Sequence, residues 1–212
     1  MFMRDLLPIF IDVRGRRVVL VGGGSVAAAK LLQLCAAGAD VHVVAPDVHD
    51  DILRSGCRVE RRGFVPADLD QAWLVVAAAS RDVNREVARA AEERRLFVNA
   101  VDDPANASAY LSGVVRRDGV TLAISTSGDA PAIAGLLREA LDAVLPNDLR
   151  DWMTVAREER ETWKRDGVPM EQRRPLLLRA LNRIYGRENP EHAKPPLVSA
   201  NSGSSAFDRD KP

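Results

Sequence analysis

The residues best suited to do chemistry begin at Gly22-Gly23-Gly24-Ser25-Val26-Ala27, a G-x-G-x-x-A run between the β-branched stretch Arg-Val-Val-Leu-Val at 17–21 and an Ala/Leu-rich stretch ending near Ala37. Each small residue in that spacing has a physical task. Gly22 permits a tight turn, Gly24 lets the backbone approach a pyrophosphate, and Ala27 allows a helix to pack closely on a sheet. The N–H groups at the helix start favour phosphate oxygens, which makes Gly22, Gly23, Gly24, Ser25 and Val26 candidate ligands of a dinucleotide. A purely structural turn is the competing reading of the same residues.

Further polar groups fall where other strand-like runs end. The run 41–44 is followed by Ala45-Pro46-Asp47. An acid near this point binds the ribose hydroxyls of NAD, so Pro46 and Asp47 join the candidate cofactor set, with turn capping as the alternative for Asp47. No Arg follows the run immediately to pair with a 2′-phosphate, which favours NAD over NADP. The run 75–80 ends in Ala-Ala-Ala-Ser, where a doubly wound sheet would place its ligand, and Ser80 can offer a hydroxyl there. Close helix packing accounts for the small residues equally well. After the next run come Asn99-Ala100-Val101-Asp102-Asp103-Pro104. A carboxylate at a crevice edge can accept a proton, and an Asp ahead of a Pro can also cap a turn. Asp102 and Asp103 would point opposite ways in extended chain, which leaves Asp103 the weaker candidate.

The elements that must position these groups can be read from periodicity. Strand, turn, helix and strand succeed one another from Arg17 to Val44, with Gly38 closing the first helix. A short strand lies near 59–64, a third apolar run at 72–79, a charged helix at 82–95 and another strand at 97–101. Alternation of this kind predicts a parallel sheet covered on both faces. Beyond it, 113–116 and 120–125 read as a hairpin around Arg117-Asp118-Gly119, followed by a helix at 130–145 with Pro131 at its start and Pro146 at its end. Two further helices, 148–165 and 171–185, carry Trp152, Val155, Trp163, Leu176, Leu177, Leu181 and Ile184 at packing positions. The tail past Gly186 has little apolar periodicity and is expected to be disordered.

Composition bounds the partners. The 212 residues are 46% hydrophobic and 28% charged, as in an ordinary globular protein. Lys+Arg and Asp+Glu both number 30. A net charge of zero gives no long-range field for nucleic acid or an anionic membrane. Residues 1–10 are too short and too interrupted for a signal peptide, and no stretch approaches a membrane span. Cys35 and Cys57, and His42, His49 and His192, lack metal-ligand spacing, so no metal site and a cytoplasmic location are expected.

Four segments in order carry a family resemblance: Leu7-Pro8-Ile9-Phe10, Asn99–Pro104 as a whole, Ser125-Thr126-Ser127-Gly128-Asp129-Ala130-Pro131, and Leu136-Leu137-Arg138. Over residues 6–150 the chain resembles the precorrin-2 dehydrogenase / sirohydrochlorin ferrochelatase family, the amino-terminal module of siroheme synthase. Ser112-Gly113 departs from the usual pattern ahead of Val-Val-Arg-Arg. The resemblance implies an α/β protein: a Rossmann-like NAD-binding domain at 1–103, a small α+β dimerisation segment at 104–146, a helical region at 147–186 and a tail at 187–212. It implies NAD-dependent oxidation of precorrin-2 to sirohydrochlorin in a homodimer, with Asp102 as the catalytic carboxylate, Asn99 at the cofactor and ferrochelation as a secondary possibility. It places Ser125 and Thr126 at the tetrapyrrole pocket, although these residues with Asp129 also suit a helix cap. Arg116, Arg117 and Arg138 would meet the substrate's carboxylates, and each also suits a solvated surface.

Two other classes compete. An NAD-sensing module without catalysis explains the glycine turn but gives no reason for 99–104 or 125–131. A short-chain alcohol dehydrogenase needs Tyr-x-x-x-Lys, whereas Tyr110 is followed at that spacing by Val114 and Tyr185 by Asn189.

Overall fold

The computed structural model describes residues 6–111, 113–128 and 130–186. Ser112, Asp129, His192 and the expected tail lie outside the described residues.

Five parallel strands form the main sheet: β1 (Arg17–Val21), β2 (Asp40–Val44), β3 (Arg58–Glu60), β4 (Leu74–Ala77) and β5 (Phe97–Ala100). Their order is β3-β2-β1-β4-β5. Chain direction across the sheet therefore reverses between β1 and β4, the position at which open α/β sheets hold ligands beyond their carboxyl ends. The helices are α1 (Ser25–Ala36) after β1, the single turn α2 (Asp50–Arg54) after β2, and α3 (Arg81–Glu93) after β4.

Strand side chains alternate between two cores. Val18, Leu20, Val43 and Val76 pack with Ala27, Leu31 and Leu34 of α1, whereas Val19, Val21, Val75 and Ala77 pack with Val87, Ala90 and Ala91 of α3. Burial on both faces explains why these strands read as continuous apolar runs rather than as alternating ones. The parallel sheet and its flanking helices match the expected architecture.

Local differences have local causes. β3 stops at Glu60, short of the 59–64 run, because Arg62 turns back to pair with Asp68. α2 was not anticipated, since five residues are too few to display a helical period. Its start is capped by His49, whose Nδ1 accepts from the Asp51 N–H at 3.2 Å.

Beyond the main sheet, β6 (Gly113–Arg117) and β7 (Val120–Ile124) form a two-stranded sheet around the Asp118-Gly119 turn, followed by α4 (Pro131–Val144), α5 (Leu149–Arg165) and α6 (Met170–Gly186). The chain divides into two compact units, one of residues 1–115 and 122–143, the other of residues 116–121 and 144 onward. Within the second unit Trp152 and Tyr185 join α5 to α6 edge to face, and Trp152 Nε1 donates to the Tyr185 hydroxyl at 2.6 Å. Burial is the main cause that pushes the Tyr185 phenol up, aided by Asp148. No helix among the described residues is long and apolar enough to cross a membrane.

Candidate functional site

The three glycines of the turn meet different surroundings. Gly22 has φ +125, and a Cβ built there would run into the Ala78 carbonyl; one on Gly23 would run into the Asp47 carbonyl. Both are packed by backbone from neighbouring strand ends. A Cβ on Gly24 would meet nothing within 4 Å. Of the three, Gly24 alone borders open space.

α1 begins with no partner of its own making. Gly24 occupies its N-cap without a side-chain cap, the first turn has no acidic residue, and the Gly24 carbonyl accepts from the Ala28 N–H at 3.0 Å. Free N–H groups and the helix dipole suit an anion, so the turn fits the pyrophosphate of a dinucleotide. Beside it, the Pro46-Asp47 bend is exposed, and His49 N–H donates to the Gly23 carbonyl at 2.7 Å. That bond holds the segment carrying Asp47 against the glycine turn.

A cleft of about 240 Å³ opens next to α1, lined by Val26, Ala78, Ala79, Arg81, Asn84, Val101, Asp102 and Asp103. Three strand ends thus contribute to it, as a switch point requires. Asp102 is exposed at its edge and has φ +55. An Asp tolerates this left-handed geometry better than most residues because its short side chain can bond locally. Asp103 is buried instead, with Oδ2 accepting from Asn106 Nδ2 at 2.8 Å.

A domain-wide comparison agrees with this geometry. An NAD(P)-binding family model matches residues 9–113. The chain is 36% identical over 189 residues to siroheme synthase of Zymomonas mobilis, covering 87% of this chain and 40% of that one. It is 40% identical over 183 residues to siroheme synthase of Photorhabdus laumondii, covering 84% and 39%. The solved structure of SirC, a precorrin-2 dehydrogenase, superposes with TM-score 0.63 at 25% identity, over 81% of this chain and 87% of that one. The chain belongs to the precorrin-2 dehydrogenase and siroheme synthase family. It spans about two-fifths of the length of the two siroheme synthases.

The other residues singled out in this family member have varied surroundings. Ser80 caps α3 through its carbonyl, which accepts from Asn84 N–H at 2.8 Å, and its hydroxyl makes no capping bond. Asn99 is buried in β5; Nδ2 donates to the Ala109 carbonyl at 3.0 Å, and Oδ1 has no partner among the described residues. It ties the 107–111 segment to the sheet and does not line the cleft.

Ser125 Oγ accepts from Ser127 N–H at 3.1 Å, and Thr126 Oγ1 accepts from Ala130 N–H at 3.3 Å. Both hydroxyls thus order their own loop. The loop nevertheless lies against the Asp102 turn, since a Cβ on Gly128 would sit 3.0 Å from Pro104 Cγ and 3.6 Å from the Tyr110 ring. Arg138 Nη2 pairs with Glu139 at 3.2 Å. Arg116 is exposed on β6, and Arg117 Nη1 donates to the Leu145 carbonyl at 3.2 Å. None of these three arginines lines the cleft.

Sequence reasoning missed Asn84 and Arg81. Asn84 lies one helical turn after Ser80 and is buried; its Oδ1 accepts from Ala79 N–H at 3.0 Å. Helical spacing from a strand-end Ser was the one available signal, and a surface Asn would have shown the same spacing.

Proposed function

We propose that this chain oxidises precorrin-2 to sirohydrochlorin with NAD⁺, in the synthesis of siroheme. The observation that carries the reading is that Val26 of the glycine turn and Asp102 line one cleft. Gly22, Gly23, Gly24, Ser25 and Val26 would hold the pyrophosphate, with Asp47 near the adenosine ribose and Ser80 at the switch point. NAD⁺, when bound, supplies the hydride acceptor.

Asp102 would accept the proton that the macrocycle loses with its hydride. The carboxylate is exposed to the cleft mouth, where a substrate can reach it, while Asp103 is committed to Asn106. Ser125 and Thr126 would border the macrocycle, and Arg116, Arg117 and Arg138 would meet its carboxylates. Asn99 would act on the cofactor side through the segment it anchors. Ferrochelation at the same carboxylate is the secondary activity of this reading.

The active form would be a homodimer associated through 104–146, in the cytoplasm. Two observations support association. The cleft of about 240 Å³ falls below the roughly 300–1,000 Å³ of ordinary ligand sites, so a macrocycle needs a further wall. α4 also presents Ile133, Leu136, Leu137 and Leu141 to solvent along one face. Free Cys35 and Cys57 suit a reducing compartment.

The test is absorbance of purified protein with precorrin-2 and NAD⁺, followed by addition of Fe²⁺. Formation of NADH in step with sirohydrochlorin is expected. Binding of NAD⁺ without turnover would instead favour an NAD-sensing module.

A further inference from the structure

Asn84 uses only half of its carboxamide in holding the end of β4. A backbone N–H needs an acceptor, so the bond from Ala79 N–H at 3.0 Å fixes Oδ1 on that side and turns Nδ2 away from it. Nδ2 has no hydrogen-bond partner among the described residues. The side-chain atoms sealed from solvent without a partner are Arg17 Nε and Asn99 Oδ1, so Nδ2 keeps an opening. Asn84 is only 3% exposed and lines the cleft. Its free donor therefore faces the cleft from the inner wall.

The place of this donor selects its acceptor. The cleft runs among Val26 in the first turn of α1, Ala78 and Ala79 past the end of β4, and Val101 and Asp102 past the end of β5. A dinucleotide whose pyrophosphate rests on the glycine turn and whose reacting ring reaches Asp102 has its nicotinamide half between them. About 240 Å³ is too little for a macrocycle, and the small side chains of Ala78 and Ala79 let a flat ring lie close.

A carboxylate of the substrate is a poorer match for Nδ2. Taking an ionised carboxylate out of water costs far more than taking an amide, and one neutral N–H does not offset that cost. The cation of the cleft, Arg81, is exposed, so a carboxylate paired with it keeps its water. The buried donor suits a neutral carbonyl.

We infer that Asn84 binds the nicotinamide carboxamide of the cofactor: Nδ2 donates to the carboxamide oxygen, while Oδ1, held by Ala79 N–H, fixes the direction of that bond. Fixing the carboxamide fixes the ring plane, which hydride transfer at the Asp102 end requires. This contact deepens the proposed dehydrogenase reaction and rests on its cofactor site.

Two measurements test it. The first compares binding of NADH, whose nicotinamide ring is neutral, with that of ADP-ribose, which has the pyrophosphate and no nicotinamide. Asn84→Asp keeps the acceptor for Ala79 N–H and puts an oxygen where the donor was. NADH should bind the variant about 10-fold more weakly, the scale of one hydrogen bond, and ADP-ribose as it binds the wild type. Equal weakening of both ligands, or none for NADH, would overturn the assignment. The second uses the unaltered chain and follows the Asn84 side-chain amide protons by NMR. They should shift on adding NADH and stay in place with ADP-ribose; the same response to both would overturn it. A wild-type chain that binds NADH in this way but does not reduce NAD⁺ with precorrin-2 would remove the dehydrogenase reading and leave the carboxamide contact standing.

Discussion

Asn84 on α3 holds the end of β4 by accepting a hydrogen bond from the Ala79 N–H at 3.0 Å. Ala79 lies between two residues that matter for the cleft: Ala78, whose carbonyl packs on Gly22, and Ser80, which starts α3. Asn84→Ala removes the acceptor from a buried position and leaves the Ala79 N–H without its partner. The expected cost is about 1–3 kcal/mol in denaturant unfolding, with a raised KM for NAD⁺. Asn84→Asp keeps an acceptor at the same place and should bind NAD⁺ better than the Ala variant. Equal KM values in the wild type and Asn84→Ala would show that this bond does not shape the cofactor site.

The glycine turn separates folding from binding. Gly22→Ala and Gly23→Ala each drive a methyl group into backbone, at Ala78 and at Asp47, and Gly22 also has a left-handed φ. Both should lose about 2 kcal/mol or more of stability, in line with overpacking and backbone strain. Gly24 has ordinary extended dihedrals and open space around it. Gly24→Ala should cost at most about 1 kcal/mol, the scale of a weakened N-cap, yet reduce NAD⁺ affinity by filling the ligand's space. Calorimetric unfolding alongside NAD⁺ titration distinguishes the three; a Gly24→Ala protein with full affinity would move the pyrophosphate elsewhere.

Much of this site was legible before the fold was known, for physical reasons that differ by residue. Gly22, Gly24 and Ala27 were readable because a strand–turn–helix transition restricts which side chains fit, and the restriction shows in spacing. Asp102 was readable through its motif; its positive φ was not, since Asp adopts that geometry without any marker in the sequence. Asn84 looks like an ordinary polar residue of an amphipathic helix, and only its hydrogen bond to the Ala79 N–H distinguishes it. α2 escaped because one turn has no period. The arginine expectations drew on the family resemblance, which points to segments of chain and does not say where a long side chain is held; Arg138 Nη2 is paired with Glu139 at 3.2 Å.

Asp68 makes the dinucleotide-binding fold sensitive to acid. Arg62 donates to both its carboxylate oxygens, at 2.9 and 2.6 Å, and Val65 N–H donates to one at 2.9 Å. The Arg62 bonds chiefly, with help from Val65, hold the carboxyl below its ordinary range. A depressed folded pKa gives stability that is fully present above the unfolded value of about 3.9 and is lost as pH falls through the folded value. Asp68→Asn should therefore be less stable than wild type by about 1–3 kcal/mol at neutral pH. The gap should close with acidification below about pH 5. A constant gap down to strong acid, in urea unfolding at stepped pH, would mean that this carboxylate does not report on the fold.

The exposed face of α4 gives the sharpest test of association. Leu136 is 66% exposed, Ile133 53%, Leu137 46% and Leu141 39%, at spacings that place all four on one side of the helix. Lone exposed apolar residues are ordinary, but four on one face form a patch that solvent contact disfavours, and a symmetric dimer would bury two such patches against each other. Light scattering of the purified chain should give twice the mass expected of one copy. Leu136→Glu with Leu137→Glu should give the single-copy mass, since burying unpaired carboxylates across a two-fold interface costs more than the patch contributes. Both side chains are exposed in one copy, so the monomer should keep its circular dichroism and its affinity for NAD⁺ while losing precorrin-2 oxidation. A wild-type monomer that turns over precorrin-2 would show that the cleft in a single copy suffices, and the second wall would then have to come from elsewhere in the same chain.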